Sequence, residues 1–271
     1  MTEKLEKEFE LTAGGRLRLG HVSGKIEIRG EKGRKASVRA VKRAKSQADL
    51  ERVEVRLSCD GKLLDIVTAY EKETVWEKLK ELFGKSQGSD VEVDYSIVVP
   101  SGVAIEVRTV SGSLEISDTN AAVAADGVSG DARLTKVRGG VNITSVSGRV
   151  SIEGVSGGLE VSTVSGDLKA KAIEGGALKV STISGDVSLE LAPGAYQGAS
   201  VNSVSGDVKC RLPGGTGAEI DFSSVSGKVE LSKELASSSA RGAGGMTLGK
   251  GGPLLKVTTV SGDLELEASG H

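Results

Sequence analysis

The chain has 271 residues, a formal net charge of −2, 38 glycines and only 3% aromatic residues. Near-neutrality excludes a protein pulled as a whole onto nucleic acid or an anionic membrane, and no apolar run approaches the roughly 18 residues of a spanning helix. So much glycine with so few rings fits many tight turns around a thin aliphatic core.

The chain opens on Met1-Thr-Glu-Lys-Leu-Glu-Lys-Glu-Phe-Glu, charged where a secretory leader needs an apolar centre. As it stands this predicts a cytoplasmic protein, or an envelope-associated one if a leader or anchor has been removed. Leu17 and Leu19, then Val22-Ser-Gly followed by Ile26 and Ile28, predict an early coil of the repeat met later. Strands are expected over 38–41, 53–57 and 63–67, with a helical turn over 45–51 capped by Ser46. Val75, Leu79 and Leu82, flanked by Trp76 and Phe83 and ending at Gly84, have helical spacing and predict a short helix near 75–83. Residues 1–97 therefore form an amino-terminal coil and cap region, because an uncovered stack of strands exposes unpaired backbone groups and polymerises.

Lys32, Arg34, Lys35, Arg39, Lys42, Arg43 and Lys45 make the one basic cluster, with no acidic residue between 32 and 48. It could meet an anionic envelope polymer or membrane surface; a lysine guard on an edge strand accounts for it better. Sequence-specific nucleic-acid reading is not expected, because no recognition helix or aromatic platform accompanies the charges.

From 98 to 271 the chain repeats. Val110-Ser-Gly recurs at Val128, Val146, Val155, Val164, Ile183, Val204, Val225 and Val260, and the strong copies are separated by 18, 18, 18, 19, 21 and 21 residues. A fixed short period means stacked coils. Apolar pairs follow each corner at alternate positions, as in Val150 with Ile152, Val187 with Leu189 and Leu264 with Leu266; a second set, such as Val141 with Ile143 and Leu159 with Val161, lies between them. Period two is that of a strand with one buried face. The fold class is thus mostly β, a single-stranded β-solenoid or flattened β-helix of about 18–21 residues per coil, each coil laid on its predecessor at roughly 4.8 Å and the ladder extending roughly 40 Å. Residues 232–252 interrupt the rhythm and read as a linker-like loop insertion.

The position after Ser-Gly carries Asp131, Asp167, Asp186, Asp207 and Asp263, broken by Arg149 and Lys228. In register these would form an outward column, open to a metal ion but more simply read as turn residues screened by water; hard cations need six or more converging oxygens. His21 and His271 are the only histidines, one beside a turn and one at the terminus, so a Ser-His-Asp or Cys-His arrangement would have to rest on His21 alone and is not expected. Cys59 and Cys210 lack metal-ligand spacing, and Cys210 falls on an inward offset. No catalytic residue, cofactor or metal is expected.

The stretch Val98-Val-Pro-Ser-Gly-Val-Ala-Ile-Glu-Val-Arg-Thr-Val-Ser-Gly-Ser-Leu-Glu-Ile resembles the repeat of the bacterial "putative adhesin" family of β-solenoid domains, as do Leu212-Pro-Gly-Gly and Val225-Ser-Gly. The resemblance covers nearly the whole chain and implies a fold, a bacterial setting and a link to the cell envelope or to surface interactions, with no catalytic residues to carry over. Together these observations predict a non-enzymatic scaffold or adhesin-like module binding an unknown protein or anionic envelope polymer through a rigid ladder, with Lys32, Arg34, Lys35, Arg39, Lys42, Arg43, Asp131, Asp167, Asp186 and Asp207 as its candidate surface. A self-assembling β-helical filament is the alternative, and a polysaccharide-active enzyme a distant third.

Overall fold

A computed structural model describes residues 1–70, 91–192, 197–215, 217–237, 239–242 and 245–269. The helix expected near 75–83 lies outside the described residues, as does His271. The chain divides into two compact units, Met1–Arg133 and Leu134–His271, both built from long strand ladders in a mostly β, solenoid-like fold.

The first unit contains β1 (Thr2–Glu10), β2 (Arg16–Ser23), β3 (Ile26–Glu31), β4 (Lys35–Ala44), β5 (Val53–Cys59), β6 (Leu63–Tyr70), β7 (Val91–Pro100), β8 (Ala104–Ser111), β9 (Leu114–Thr119) and β10 (Val123–Ser129). One sheet is ordered β1-β4-β7-β3-β9 and the other β5-β6-β2-β8-β10. The early coil forms as expected, with Leu17, Leu19, Ile26 and Ile28 buried. It does not stand at the end of the stack. Leu17 faces Leu64 on one side and Ile105 on the other, and Ile28 faces Ile97 and Ile116, all in parallel register. The reason lies in strand direction: β4 runs antiparallel to both β1 and β7, and β5 antiparallel to β6, so these strands close the ladders outside the coil. The short helix α1 (Gln47–Glu51) joins β4 to β5, and the hydroxyl of Ser46 accepts the Asp49 amide at 3.1 Å, as a cap residue should.

The basic cluster was expected on an edge strand, but β4 is paired on both sides. The guarded edge is β1, whose Glu3, Lys4, Glu6, Lys7 and Glu8 alternate in sign along a strand with neighbours on one side only.

The second unit holds β12 (Val141–Ser147), β13 (Val150–Ser156), β14 (Leu159–Ser165), β15 (Leu168–Glu174), β16 (Leu178–Ser184), β17 (Val187–Leu191), β18 (Ala199–Ser205), β19 (Val208–Pro213), β20 (Ala218–Ser226), β21 (Val229–Leu231), β22 (Ser239–Gly242), β23 (Gly245–Leu248), β24 (Leu254–Ser261) and β25 (Leu264–Ser269), with a second short helix, α2 (Lys233–Ser237); β11 (Ala132–Val137) spans the boundary. The even-numbered strands from β12 to β18 pair in parallel and unbroken register, Val141 on Leu159, Leu178 and Ala199. Strands β13, β15, β17 and β19 belong to the opposite sheet, and the two inner faces bury Val161, Val180, Val201, Ile152, Leu189 and Cys210.

The corners explain the recurring Ser-Gly. A Cβ added to Gly166 would lie 2.1 Å from the carbonyl oxygen of Gly148, on Gly185 2.3 Å from that of Gly166, on Gly206 2.3 Å from that of Gly185, and on Gly262 2.2 Å from that of Gly206. Glycine sits directly on glycine from rung to rung, and no other residue fits; Gly185 and Gly206 also take φ of 137° and 125°.

Beside each glycine the repeated aspartate links neighbouring rungs. The Asp167 carboxylate accepts the Asp186 amide at 3.2 Å, Asp186 accepts that of Asp207 at 3.0 Å, Asp207 that of Asp263 at 2.9 Å, and Asp263 that of Lys228 at 3.0 Å. This reveals a second departure from stacking in chain order: the last coil, β24–β25, lies between β18–β19 and β20–β21. The observed order uses every one of those carboxylates. In chain order Asp207 would meet Lys228, which has no carboxylate to offer residue 263, so lysine marks the terminal rung. Among the described residues β21 has one neighbour, and β23 pairs with β20 only as far as Ile220, which leaves Val229, Leu231 and Phe222 half-buried where full burial was expected.

The insertion is not a loose linker in its described part. Strand β23 runs antiparallel to β20 and to β22, burying Met246 and Leu248, and α2 buries Leu235. It closes the ladder of β12, β14, β16, β18, β24 and β20.

Candidate interaction surface

The second unit presents two outer faces of opposite character. On the β13–β25 side the outward-facing column Glu153, Lys171, Glu190, Arg211, Glu267 alternates in sign across successive rungs. Lys171 meets Glu190 at 3.5 Å, Arg211 Nε donates to Glu267 at 2.7 Å, and Lys209 Nζ bridges Glu265 at 3.0 Å and Glu267 at 2.7 Å. Hydrogen bonds from Lys209 and then Arg211 pull the Glu267 carboxyl down to about 2. These charges are answered within the face.

On the β12–β24 side, strand alternation turns Thr144, Ser162, Ser181, Asn202 and Thr258 outward in one column and Val146, Val164, Ile183, Val204 and Val260 in the next, with Val225 of β20 continuing it. The aliphatic side chains from Val146 to Val260 remain between 43 and 52% exposed, and Val225 is 84% exposed. Single exposed valines are ordinary; an aligned, contiguous run marks a contact site. An open groove of about 320 Å³ follows these columns from Thr144 to Thr258, its wall predominantly apolar.

Sequence reasoning missed this ladder. The signal was present: Leu159 and Val161 point inward, and counting on by two puts Thr163 inside and Val164 outside. The corner motif by itself assigns no face to the first residue of the tripeptide. Its inward neighbours form a buried hydroxyl column, and those of Thr163, Thr182, Ser203, Ser224 and Thr259 have no hydrogen-bond partner among the described residues.

The candidate residues chosen from the sequence divide between the two units. Lys35, Arg39 and Arg43 share the outer face of β4; Lys32 and Arg34 precede that strand in the turn after β3; and Lys42 points inward, donating from Nζ to the Val53 carbonyl at 3.0 Å and pairing with Glu3. Acidic partners line this face: Glu8 meets Lys35 at 3.5 Å, Glu6 is the register partner of Arg39, and Arg43 pairs with Asp94. Asp131 lies in the first unit, whereas Asp167, Asp186 and Asp207 belong to the amide ladder of the second. Among the described residues no cluster of three or more His, Cys, Asp or Glu side chains is arranged to hold a metal ion.

The remaining titratable candidates are interior. His21 is fully buried; its Nε2–H donates to the Val93 carbonyl at 2.8 Å, which leaves Nδ1 to accept from the Thr109 hydroxyl at 3.1 Å. Tyr95 meets the imidazole edge-on at 5.5 Å and shares a 2.7 Å hydrogen bond with Thr68. Burial depresses the His21 pKa, opposed by the Val93 hydrogen bond. Burial pushes the Cys210 thiol up to about 12, an unreactive core position.

No helix among the described residues is long and apolar enough to cross a membrane. No curated protein matches the chain. Among solved structures it is similar to one named "putative lipid binding protein" from Parabacteroides distasonis ATCC 8503, at 13% identity and a TM-score of 0.56, with 98% of this chain and 97% of that one covered; that likeness is one of fold alone. It is also aligned with a "putative cell adhesion protein" from Clostridium sporogenes ATCC 15579, at 11% identity and a TM-score of 0.33 over 99% of this chain and 100% of the other. A "putative adhesin" from Bacteroides fragilis NCTC 9343 aligns at 12% identity and a TM-score of 0.36, over 98% and 97%. Residues 16–267 match the Toastrack DUF4097 family, and the chain belongs to that family.

Proposed function

We propose that this protein is a non-enzymatic interaction module of the bacterial envelope, and that it recognises its partner through the β12–β24 face of the second unit. The observation that carries the reading is the unbroken aliphatic ladder from Val146 to Val225 flanked by neutral hydroxyls and the Asn202 carboxamide. Such a rigid, repeating strip allows many weak contacts to act together without the ordering cost of a flexible loop. The β4 face has its charges matched by β1 and by Asp94, which favours the neutral ladder over the basic cluster as the recognising surface. Filament growth is disfavoured where the antiparallel strands β1, β5, β22 and β23 close a ladder, which leaves the three-residue parallel strand β21 as the described ladder end open to a further rung.

Co-sedimentation with bacterial envelope fragments tests the reading. Binding should survive high salt, since apolar contact is not screened, and should fall at least tenfold when Val164, Ile183 and Val204 are all changed to Thr. Binding abolished by salt and untouched by those changes would refute it.

A further inference from the structure

We infer that the groove on the β12–β24 face seats one extended acyl chain of a monomeric amphiphile, laid along the aliphatic ladder across successive rungs. This rests on the reading of that face as the recognition surface and names the chemistry it takes.

Shape comes first. The groove's volume of about 320 Å³ stands at the lower end of small-ligand sites. At the strand spacing, the ladder from Val146 to Val225 extends roughly 24 Å, and its two outward columns are roughly 10 Å wide, so covering it removes only a few hundred Å² of surface. A stable contact between folded proteins needs about 800 Å² from each side. A second copy of the chain or a globular partner finds too little here, whereas a hydrocarbon chain needs a strip that is long, narrow and straight.

The chemistry agrees. The aliphatic side chains of Val146, Val164, Ile183 and Val204 line the groove, while the hydroxyl oxygens of Thr163, Thr182 and Ser203 are buried beneath the surface. The column of hydroxyls and one carboxamide alongside is neutral. In the next column outward, Lys179 pairs with Glu160 at 3.4 Å and Lys256 with Asp221 at 3.1 Å, so the charges cancel and offer no net attraction to an anionic bilayer. That balance favours a single chain over a membrane surface.

An open groove strips water from about half of each methylene, so affinity should rise about twofold per added CH₂, against about fourfold for complete burial. The test is a calorimetric titration of the full chain with octanoate, decanoate and dodecanoate, each below its micelle concentration. Dodecanoate should bind about 16-fold more tightly than octanoate. The double change Val164→Thr with Ile183→Thr should weaken dodecanoate at least fivefold, Val146→Thr alone should weaken it less, and Ser188→Thr on the opposite sheet should leave it unchanged. Thermal melts of each variant establish that the fold is kept. Affinity independent of chain length, or equal for the parent and the double variant, overturns the inference, as does a dimer in sedimentation that the double variant dissolves. If fatty acids fail to bind while envelope fragments still require Val164, Ile183 and Val204, the acyl assignment falls and the reading of the face stands. If neither depends on those side chains, both fall.

Discussion

The two outer faces of the second unit are made by the same coils and share the same rung spacing, yet one consumes its own chemistry and the other leaves it unspent. On the β13–β25 side, Lys171, Glu190, Arg211 and Glu267 bind one another from rung to rung. On the β12–β24 side, Val146 through Val225 line up with none of the described residues covering them. Alternating charge specifies register at each step; a neutral aliphatic column contributes little to the choice of register and is free for a partner. The first unit sharpens the point, because Val22, in the equivalent corner, is only 7% exposed. Exposure of that column is a property of the second unit rather than of the repeat.

The largest expected effect breaks both faces at once. Gly185→Ala would force a Cβ within 2.3 Å of the Gly166 carbonyl oxygen and should cost about 3 kcal/mol or more by urea denaturation, whereas Ile183→Thr, two residues away and exposed, should move stability by less than about 0.5 kcal/mol. Exchanging the terminal signal, with Lys228→Asp and Asp263→Lys together, removes the carboxylate that the observed coil order uses and should lower Tm by about 2–4 °C; an unchanged Tm would mean the aspartate ladder does not select the order. Thr182→Val deletes a buried hydroxyl without a partner and should stabilise the second unit by about 1 kcal/mol, since the replacement has nearly the same shape.

Acid should act on both units in the same direction. His21 has its folded pKa below the ordinary 6.5, so the unfolded chain binds the proton first and stability declines as pH falls below about 6.5. Glu267 is held down to about 2 from 4.5, so its contribution is present above about 4.5 and is lost as pH falls toward about 2. The His21 part should disappear in His21→Gln, which a pH series of thermal melts on both proteins would reveal; identical profiles above pH 5 would remove His21 as the cause.

Much of the fold was legible because local rules repeat. Val150 with Ile152 and Leu159 with Val161 announced two inward faces, and Ser-Gly announced the corners. The order of coils was not legible, since the coil of Val22-Ser-Gly and that of Val260-Ser-Gly offer neighbours the same apolar pairs as any other rung. What places them one step inside is strand reversal at β4 and β23 and the switch from aspartate to Lys228, and these acquire meaning only in register. Asp167, Asp186 and Asp207 recur at one position of the repeat, but their amide partners lie 19, 21 and 56 residues away in the chain. The basic residues of β4 looked unpaired because the acidic side chains of β1 that face them come earlier in the chain, and only strand pairing brings the two together.

The central claim, that the neutral ladder rather than the charged surface of β4 does the recognising, is tested most directly by one head-to-head binding measurement on envelope fragments. The account predicts that Val164→Thr/Ile183→Thr/Val204→Thr loses at least tenfold in affinity while Lys35→Glu/Arg39→Glu/Arg43→Glu keeps it within about twofold. Retained binding by the first variant with loss in the second would contradict the account.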